Sequence, residues 1–416
     1  MTRIALRNAL SDGQVERWKG CPEKAVKNYC DAAPFEVSAQ CHRFVFYPAG
    51  VDRLAALKQH IERAQHTLDV YFYLFQDDEA GAVVRDALIA AAERGVSVSL
   101  IVDAFGSSAS HGFFAPLVAA GANFREFSPK WNVRYLIRNH QKFVIADGEW
   151  VMTGGFNISD HYFMPPEENG WCDLGVAIEG PVVIQFARWF AQLQDWIENG
   201  EGKFRGLRDL VSQWDAGAGP EGASPESDAP VQLLLGGPLL RRAHWAWSFR
   251  QDLMRARRLD TVSAYFSPPL TIRRLMARVA RRGRVRLITA GKSDIAATID
   301  VARLLYRKLL RCGARIFEFQ PCKLHMKLLI VDDIAYFGSA NLDKRSFRVN
   351  VELMVRVEDA ELARALREFV DHMEQASDEM TPEKYARQAT WWKRLVWRFK
   401  YMIAFVDYRL SRGLNE

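Results

Sequence analysis

One pattern occurs twice in this chain, and it constrains the fold more than any other feature. Leu68-Asp69-Val70-Tyr71-Phe72-Tyr73 is matched by Leu259-Asp260-Thr261-Val262-Ser263-Ala264-Tyr265-Phe266. Both are apolar, β-branched and aromatic runs, the signature of a buried strand. Each is followed by a helical stretch ending in Arg-Gly (83–95 and 272–283), with the glycine placed to close the helix. A second strand comes next (96–102 and 285–289), then a helix (113–120 and 301–312) and a third strand (123–127 and 315–319). Alternation in this order predicts an α/β domain with a largely parallel sheet. Its return after about 190 residues predicts duplication of the whole domain rather than a short solenoid repeat.

The 416 residues are 49% apolar and 25% charged, which excludes a mainly disordered or fibrous chain and suits two or three globular units. Asp215 to Pro230 is dense in Gly, Pro, Ala and acidic residues and reads as a linker. The expected organisation is an irregular extension over 1–40, a first domain over 41–211, a linker over 212–231, a second domain over 232–375 and a basic aromatic segment over 376–416.

Cys21, Cys30, Cys41, Cys172, Cys312 and Cys322 form no C-x-x-C pair, so neither disulfides nor zinc sites are expected and a reducing compartment is the natural reading. There is no signal-peptide pattern, and no run approaches the roughly 18 apolar residues of a membrane span. The net charge of +6 (56 − 50) is mild, compatible with phosphate-bearing partners but not diagnostic of nucleic acid. From Trp391 to Val406, aromatics and cations alternate at helical spacing; Trp391, Leu395, Phe399, Met402 and Val406 share one face, and Lys393, Arg394, Arg398, Lys400, Arg409 and Arg412 supply charge. Such a helix can lie in a membrane interface or dock on its own domain with its cations snorkelling.

Each half ends in one constellation. The first copy is Asn139-His140-Gln141-Lys142, an apolar run to Asp147, then Gly154-Gly155-Phe156-Asn157. The second is Leu324-His325-Met326-Lys327, a run to Asp332, then Gly338-Ser339-Ala340-Asn341. His and Lys two apart on a strand project to the same side. Lysine and asparagine offer donors to non-bridging phosphate oxygens, a neutral histidine can attack phosphorus, and a second, protonated histidine can donate to the leaving oxygen. One His-x-Lys is weak evidence; the full pattern twice, at matching places in a repeat, is not a chance event. His42, His60, His66, His111, His161, His244 and His372 lack such partners and read as structural or surface residues, with His161 also a candidate for the pocket mouth.

Over residues 42–375 the sequence resembles the phospholipase D superfamily, and within it most closely the bacterial cardiolipin synthases. The resemblance is carried by both motifs, by Gly154 to Asp160, by Trp171-Cys172-Asp173 with Glu179-Gly180-Pro181, by Leu304-Leu305-Tyr306, and by Gly338 to Asp343 with Arg345-Ser346, Asn350 and Glu352. It implies two homologous α/β domains in a pseudo-twofold arrangement with one interfacial active site, a phosphohistidine intermediate, and neither metal nor cofactor. By the same resemblance the catalytic set is His140, Lys142, Asp147, His325, Lys327 and Asp332. His140 is favoured as nucleophile and His325 as general acid, with the reverse order open. Asn157, Asn341 and Ser339 match phosphate ligands, and Asp173 and Glu352 carboxylates that orient an imidazole. The two aspartates of the motif suit bracing the turn better than touching substrate.

Two departures stand out. The Asp-to-Gly spacing is one residue shorter in the second copy, and Gly155 stands where the second copy has Ser339. The function implied is transfer of a phosphatidyl group from phosphatidylglycerol to an alcohol. Hydrolysis of a phosphodiester, by a phospholipase or nuclease, is the alternative, and a decayed, non-catalytic binding scaffold is a third. Anionic phospholipids and the membrane surface are the expected partners, with peripheral placement on the cytoplasmic face; nucleic acid is not expected, and the oligomeric state is not set by the sequence.

Overall fold

In a computed structural model, the described residues are 29–128, 137–199, 204–214, 229–237, 244–293 and 295–413. The chain divides into two units, one within 1–128 and 139–202, the other within 129–138 and 203–416. Most of the expected linker and of the N-terminal extension lies outside the described residues.

The first unit contains β1 (Phe35–Ala39), β2 (His42–Tyr47), α1 (Gly50–Arg63), β3 (Thr67–Phe72), α2 (Glu79–Glu93), β4 (Ser97–Asp103), α3 (His111–Ala119), β5 (Asn123–Phe127), β6 (Lys142–Ala146), β7 (Trp150–Gly154), β8 (Trp171–Cys172), β9 (Gly175–Glu179) and α4 (Val182–Asn199). Its eight-stranded sheet runs β1-β2-β9-β7-β6-β3-β4-β5. The second unit contains α5 (Phe204–Trp214), β10 (Val231–Gly236), α6 (His244–Arg255), β11 (Arg258–Ser263), β12 (Phe266–Ser267), α7 (Leu270–Arg282), β13 (Arg284–Ala290), α8 (Ala296–Arg311), β14 (Arg315–Phe319), β15 (Lys323–Leu324), β16 (Lys327–Val331), β17 (Ile334–Gly338), β18 (Leu342–Asp343), α9 (Lys344–Arg348), β19 (Glu352–Glu358), α10 (Ala360–Gln375), β20 (Ser377–Glu379), α11 (Pro382–Gln388) and α12 (Trp391–Gly413). Its sheet runs β10-β19-β17-β16-β11-β13-β14-β20, so seven consecutive strands repeat the order of the first.

The sheets are mixed, which corrects the expectation of a largely parallel one. Within the two eight-stranded sheets only β3-β4-β5 and β11-β13-β14 run parallel. The strands that carry the motifs return as tight antiparallel hairpins, β6-β7 and β16-β17, which need no crossover helix and so leave no alternation to read. Every residue of β6 and of β16 is buried, as strands covered on both faces must be.

Three smaller corrections concern ends. Phe35–Ala39, expected to be irregular, is β1, turned back onto β2 through Gln40 and Cys41, both in left-handed backbone. Helix α5, which the sequence reading gave largely to the first domain, belongs to the second unit, where Trp214 Nε1 donates to Leu233 O at 3.2 Å. Cys30 is disulfide-bonded, against the expectation from cysteine spacing. The two Arg-Gly helix ends also differ in cause. Gly95 takes φ +91°, but Gly283 is extended, and there a Cβ would lie 1.8 Å from Arg257 O. Among the described residues no helix is long and apolar enough to cross a membrane.

Candidate active site

Pairing of β3 with β6 sets Phe72 opposite Lys142, and Tyr73 N donates to Gln141 O at 3.2 Å. The residues between and before the motif's two functional groups are anchored on the other side. Gln141 Oε1 accepts from Trp189 Nε1 of α4 at 2.7 Å, and Asn139 N donates to Asp103 Oδ2 at 2.9 Å. With Gln141 fixed there, the alternation of the strand turns His140 and Lys142 the opposite way.

Lys142, 1% exposed, donates through Nζ to the His140 carbonyl and stands 5.1 Å from the Tyr73 ring centroid. The half-buried His140 ring meets the same tyrosine edge-on at 4.9 Å. Asn157, also buried, donates through Nδ2 to Tyr162 Oη at 2.8 Å, and its Oδ1 has no partner. Turning that amide over lets Tyr162 donate to Oδ1 and frees Nδ2 for an anion, so the side chain has capacity to spare.

The second unit repeats the arrangement. Ser263 lies opposite Lys327, whose Nζ reaches the His325 carbonyl and lies 2.8 Å from its Nδ1. Tyr265 approaches His325 edge-on at 6.4 Å. Asn341 is buried with an unpartnered Oδ1, as in the first unit, and its backbone N–H is held by Ser346 Oγ at 3.1 Å.

Register identifies the carboxylates. Gly154 pairs with Gly175 and Gly338 with Met354, so Asp173 and Glu352, each two residues before the paired position, occupy equivalent places. Both are fully buried. Glu352 accepts from Ser339 Oγ at 2.5 Å, Ser346 Oγ at 2.8 Å and Asn350 Nδ2 at 3.2 Å. Ser339 gives its proton to Glu352 and accepts from Leu353 N at 3.0 Å, so its hydroxyl is engaged with the carboxylate. In the first unit the shorter Asp173 packs directly on Gly155, where a Cβ would lie 2.4 Å from Oδ1. The glycine and the shorter acid thus change together.

Asp147 and Asp332 stand past the far ends of β6 and β16 from the lysines. Asp147 accepts from the backbone N–H groups of Gln65, His66 and Thr67 at 2.7–2.9 Å, and Asp332 from Arg257 and Arg258 at 2.7–3.1 Å. Both hold left-handed backbone and pin the loop that enters the neighbouring strand. Their geometry is that of braces, not of reacting groups. Among the other histidines, His42 accepts from Val182 N at the start of α4, His60 stacks on Trp150 at 3.6 Å with its pKa brought down to about 3 by burial, and the exposed His161 stacks on Trp171.

Sequence reasoning missed Arg53. This arginine of α1 is fully buried beneath the first unit's site and donates to the carbonyls of Tyr47, Pro48, Asp173 and Tyr162 at 2.5–3.1 Å. Burial lowers its pKa, opposed by the charges of Asp173 and Asp31. The available signal was Gly175, a glycine inside a strand, which marks close approach by something else. A Cβ there would lie 2.7 Å from Arg53 Cδ.

Residues 57–196 and 250–374 match the family described as "Cardiolipin synthase, PLD-like domain". The chain belongs to this family. It is 30% identical to cardiolipin synthase B of Escherichia coli K12 over 346 residues, covering 81% of each chain. It is 30% identical to cardiolipin synthase 1 of Bacillus anthracis over 343 residues, 79% of this chain, and spans 66% of that relative's length, just under two thirds. In fold the chain is also similar to phosphatidylserine synthase of Haemophilus influenzae, with a TM-score of 0.69 at 15% identity, covering 93% of this chain and 98% of that one.

Proposed function

We propose that the chain is a phosphatidyltransferase of the cardiolipin synthase type, moving a phosphatidyl group from phosphatidylglycerol to an alcohol through a phosphohistidine intermediate. The observation that carries this reading is the recurrence, at one register in both units, of a His-x-Lys strand start, a buried amide with spare capacity and a buried carboxylate. In the proposed reaction one histidine from each half serves a single phosphoryl group. His140 attacks phosphorus, the phosphorus–oxygen bond to glycerol breaks, and His325 gives its proton to the departing oxygen. The acceptor hydroxyl then loses its proton to His325 as its oxygen displaces His140. Lys142, Lys327, Asn157 and Asn341 hold the non-bridging oxygens, and the charge-assisted bonds from lysine strengthen as negative charge develops. Asp173 and Glu352 act as positioning residues for the imidazoles. The reaction is assigned to the cytoplasmic face of the membrane, with the protein bound peripherally.

The decisive experiment is product analysis of the purified chain in phosphatidylglycerol vesicles, with His140→Ala alongside. Cardiolipin and free glycerol formed only by the intact protein are expected. Phosphatidic acid as the sole product makes the chain a hydrolase, and no turnover of any phosphodiester lipid removes the reading.

A further inference from the structure

Helix α12 lies on the second unit by one line of side chains. Trp397, 4% exposed, approaches Tyr385 at 6.3 Å between ring centroids; Lys400 pairs with Asp300; and Tyr401 accepts from Lys344 Nζ at 2.7 Å. Its other face is left exposed by the described residues. Trp391 (67% exposed), Trp392 (60%), Leu395 (50%), Val396 (47%), Phe399 (57%) and Met402 (54%) point outward, the two tryptophans stacked at 4.1 Å. Positions 391, 395, 399 and 402 follow one helical stripe and 392 and 396 lie beside it, so the six form one ridge. The other large apolar residues exposed among the described ones, such as Phe105, Val118 and Ile184, are scattered along the sequence. A continuous ridge of this kind marks a contact surface.

Charge indicates what covers it. Residues 391–406 carry four cations (Lys393, Arg394, Arg398 and Lys400) and no acid. Lys393 and Arg398 are exposed beside the ridge. Along the same helix runs a cleft of about 480 Å³, lined by Trp392, Lys393, Val396 and Trp397 together with Asp300 and Arg303. Within it Asp300 is matched by Lys400 and Arg303 by Glu318, leaving Lys393 to set the sign. A second copy of the chain packed on this ridge would bring like charges together with no acid within 391–406 to pair them. An anionic lipid surface satisfies both parts, because tryptophan and phenylalanine sit at the level of the headgroups while the cations meet lipid phosphates.

We propose that the outward face of α12 docks the protein on an anionic bilayer, the ridge entering the headgroup region and Lys393 and Arg398 reading its negative charge. Docking stands apart from the chemistry and needs no turnover. The test uses the full chain carrying His140→Ala, floated with vesicles of phosphatidylcholine alone or with about one third phosphatidylserine, so that neither catalysis nor the proposed donor lipid contributes. Binding is expected to the anionic vesicles only. Leu395→Glu with Phe399→Glu should weaken it tenfold or more, and Trp392→Ala, a milder change at an exposed site, should weaken it with an unchanged melting temperature. Lys393→Gln with Arg398→Gln should cost roughly fivefold per cation at low salt. Undiminished binding by both ridge variants, or equal binding to neutral vesicles, overturns the proposal. So does a ridge variant that turns a dimer into a monomer, since a second copy then covers the face.

Discussion

The two carboxylates at the site are held by different means, and the difference is one of single atoms. Glu352 is fixed by donors from Ser339, Ser346 and Asn350, whereas Asp173 rests on the bare Cα of Gly155. If Ser339 acts on catalysis through Glu352, then Ser339→Ala should lower kcat by about 10–100-fold, the usual cost of losing a group that orients a functional side chain. KM for phosphatidylglycerol should change little. A direct phosphate ligand would raise KM instead, so the split between the two constants decides. The acids and the Gly/Ser departure were visible in the sequence. The hydrogen-bond partner of Ser339 was not, because a hydroxyl adjacent to a phosphate motif has two chemically sensible partners, and only the register of β17 on β19 brings Glu352 to it. Arg53 was hidden for a related reason: its partners are backbone carbonyls, which leave no residue-type signature.

The strands β3 and β11 make the same comparison at the scale of an element. Asp69 and Asp260 occupy one register, opposite Ile145 and Ile330. Asp260 is fully buried and answered by Arg258, Arg286 and Arg367 at 2.7–3.0 Å. Asp69 is pushed up to about 6 by burial. An acid whose folded pKa lies above its unfolded value penalises the fold once ionised. The penalty is absent below about pH 4, grows as pH rises toward 6, and is complete above that. Asp69→Asn should therefore stabilise the protein near neutral pH by on the order of 1 kcal/mol after allowance for partial exposure, or ~2–4 °C in melting temperature. The gain should vanish near pH 4. Thermal unfolding of variant and parent across that range measures it, and a difference independent of pH would show that Asp69 is not the titrating group. The alternation of β3, α2 and β4 was legible because each element is long and periodic. The hairpins were not counted, since the first strand of each was read as a run ending at its aspartate and the five-residue return strand after it was given no element.

At the scale of the whole molecule, duplication raises the question of whether two motifs mean two sites or one. The sequence shows the copies, and each unit keeps a complete set of His, Lys, Asn and carboxylate, so completeness of a half does not decide. Activity does. If each half worked alone, His140→Ala and His325→Ala would each leave about half the turnover. If one phosphoryl group needs both, each single variant should lose at least about 10³-fold, the double variant little more, because groups that act as a unit are not additive. The two histidines should then separate by role. A phosphodiester with a nitrophenol leaving group needs no protonation to depart, so it should restore formation of the phospho-enzyme in His325→Ala and not in His140→Ala. Acid-labile radiolabel retained on His325→Ala from a phosphorus-labelled donor, and absent from His140→Ala, would fix His140 as the nucleophile. The opposite labelling would exchange the roles while leaving the shared site intact, and residual half-activity in both single variants would dissolve it.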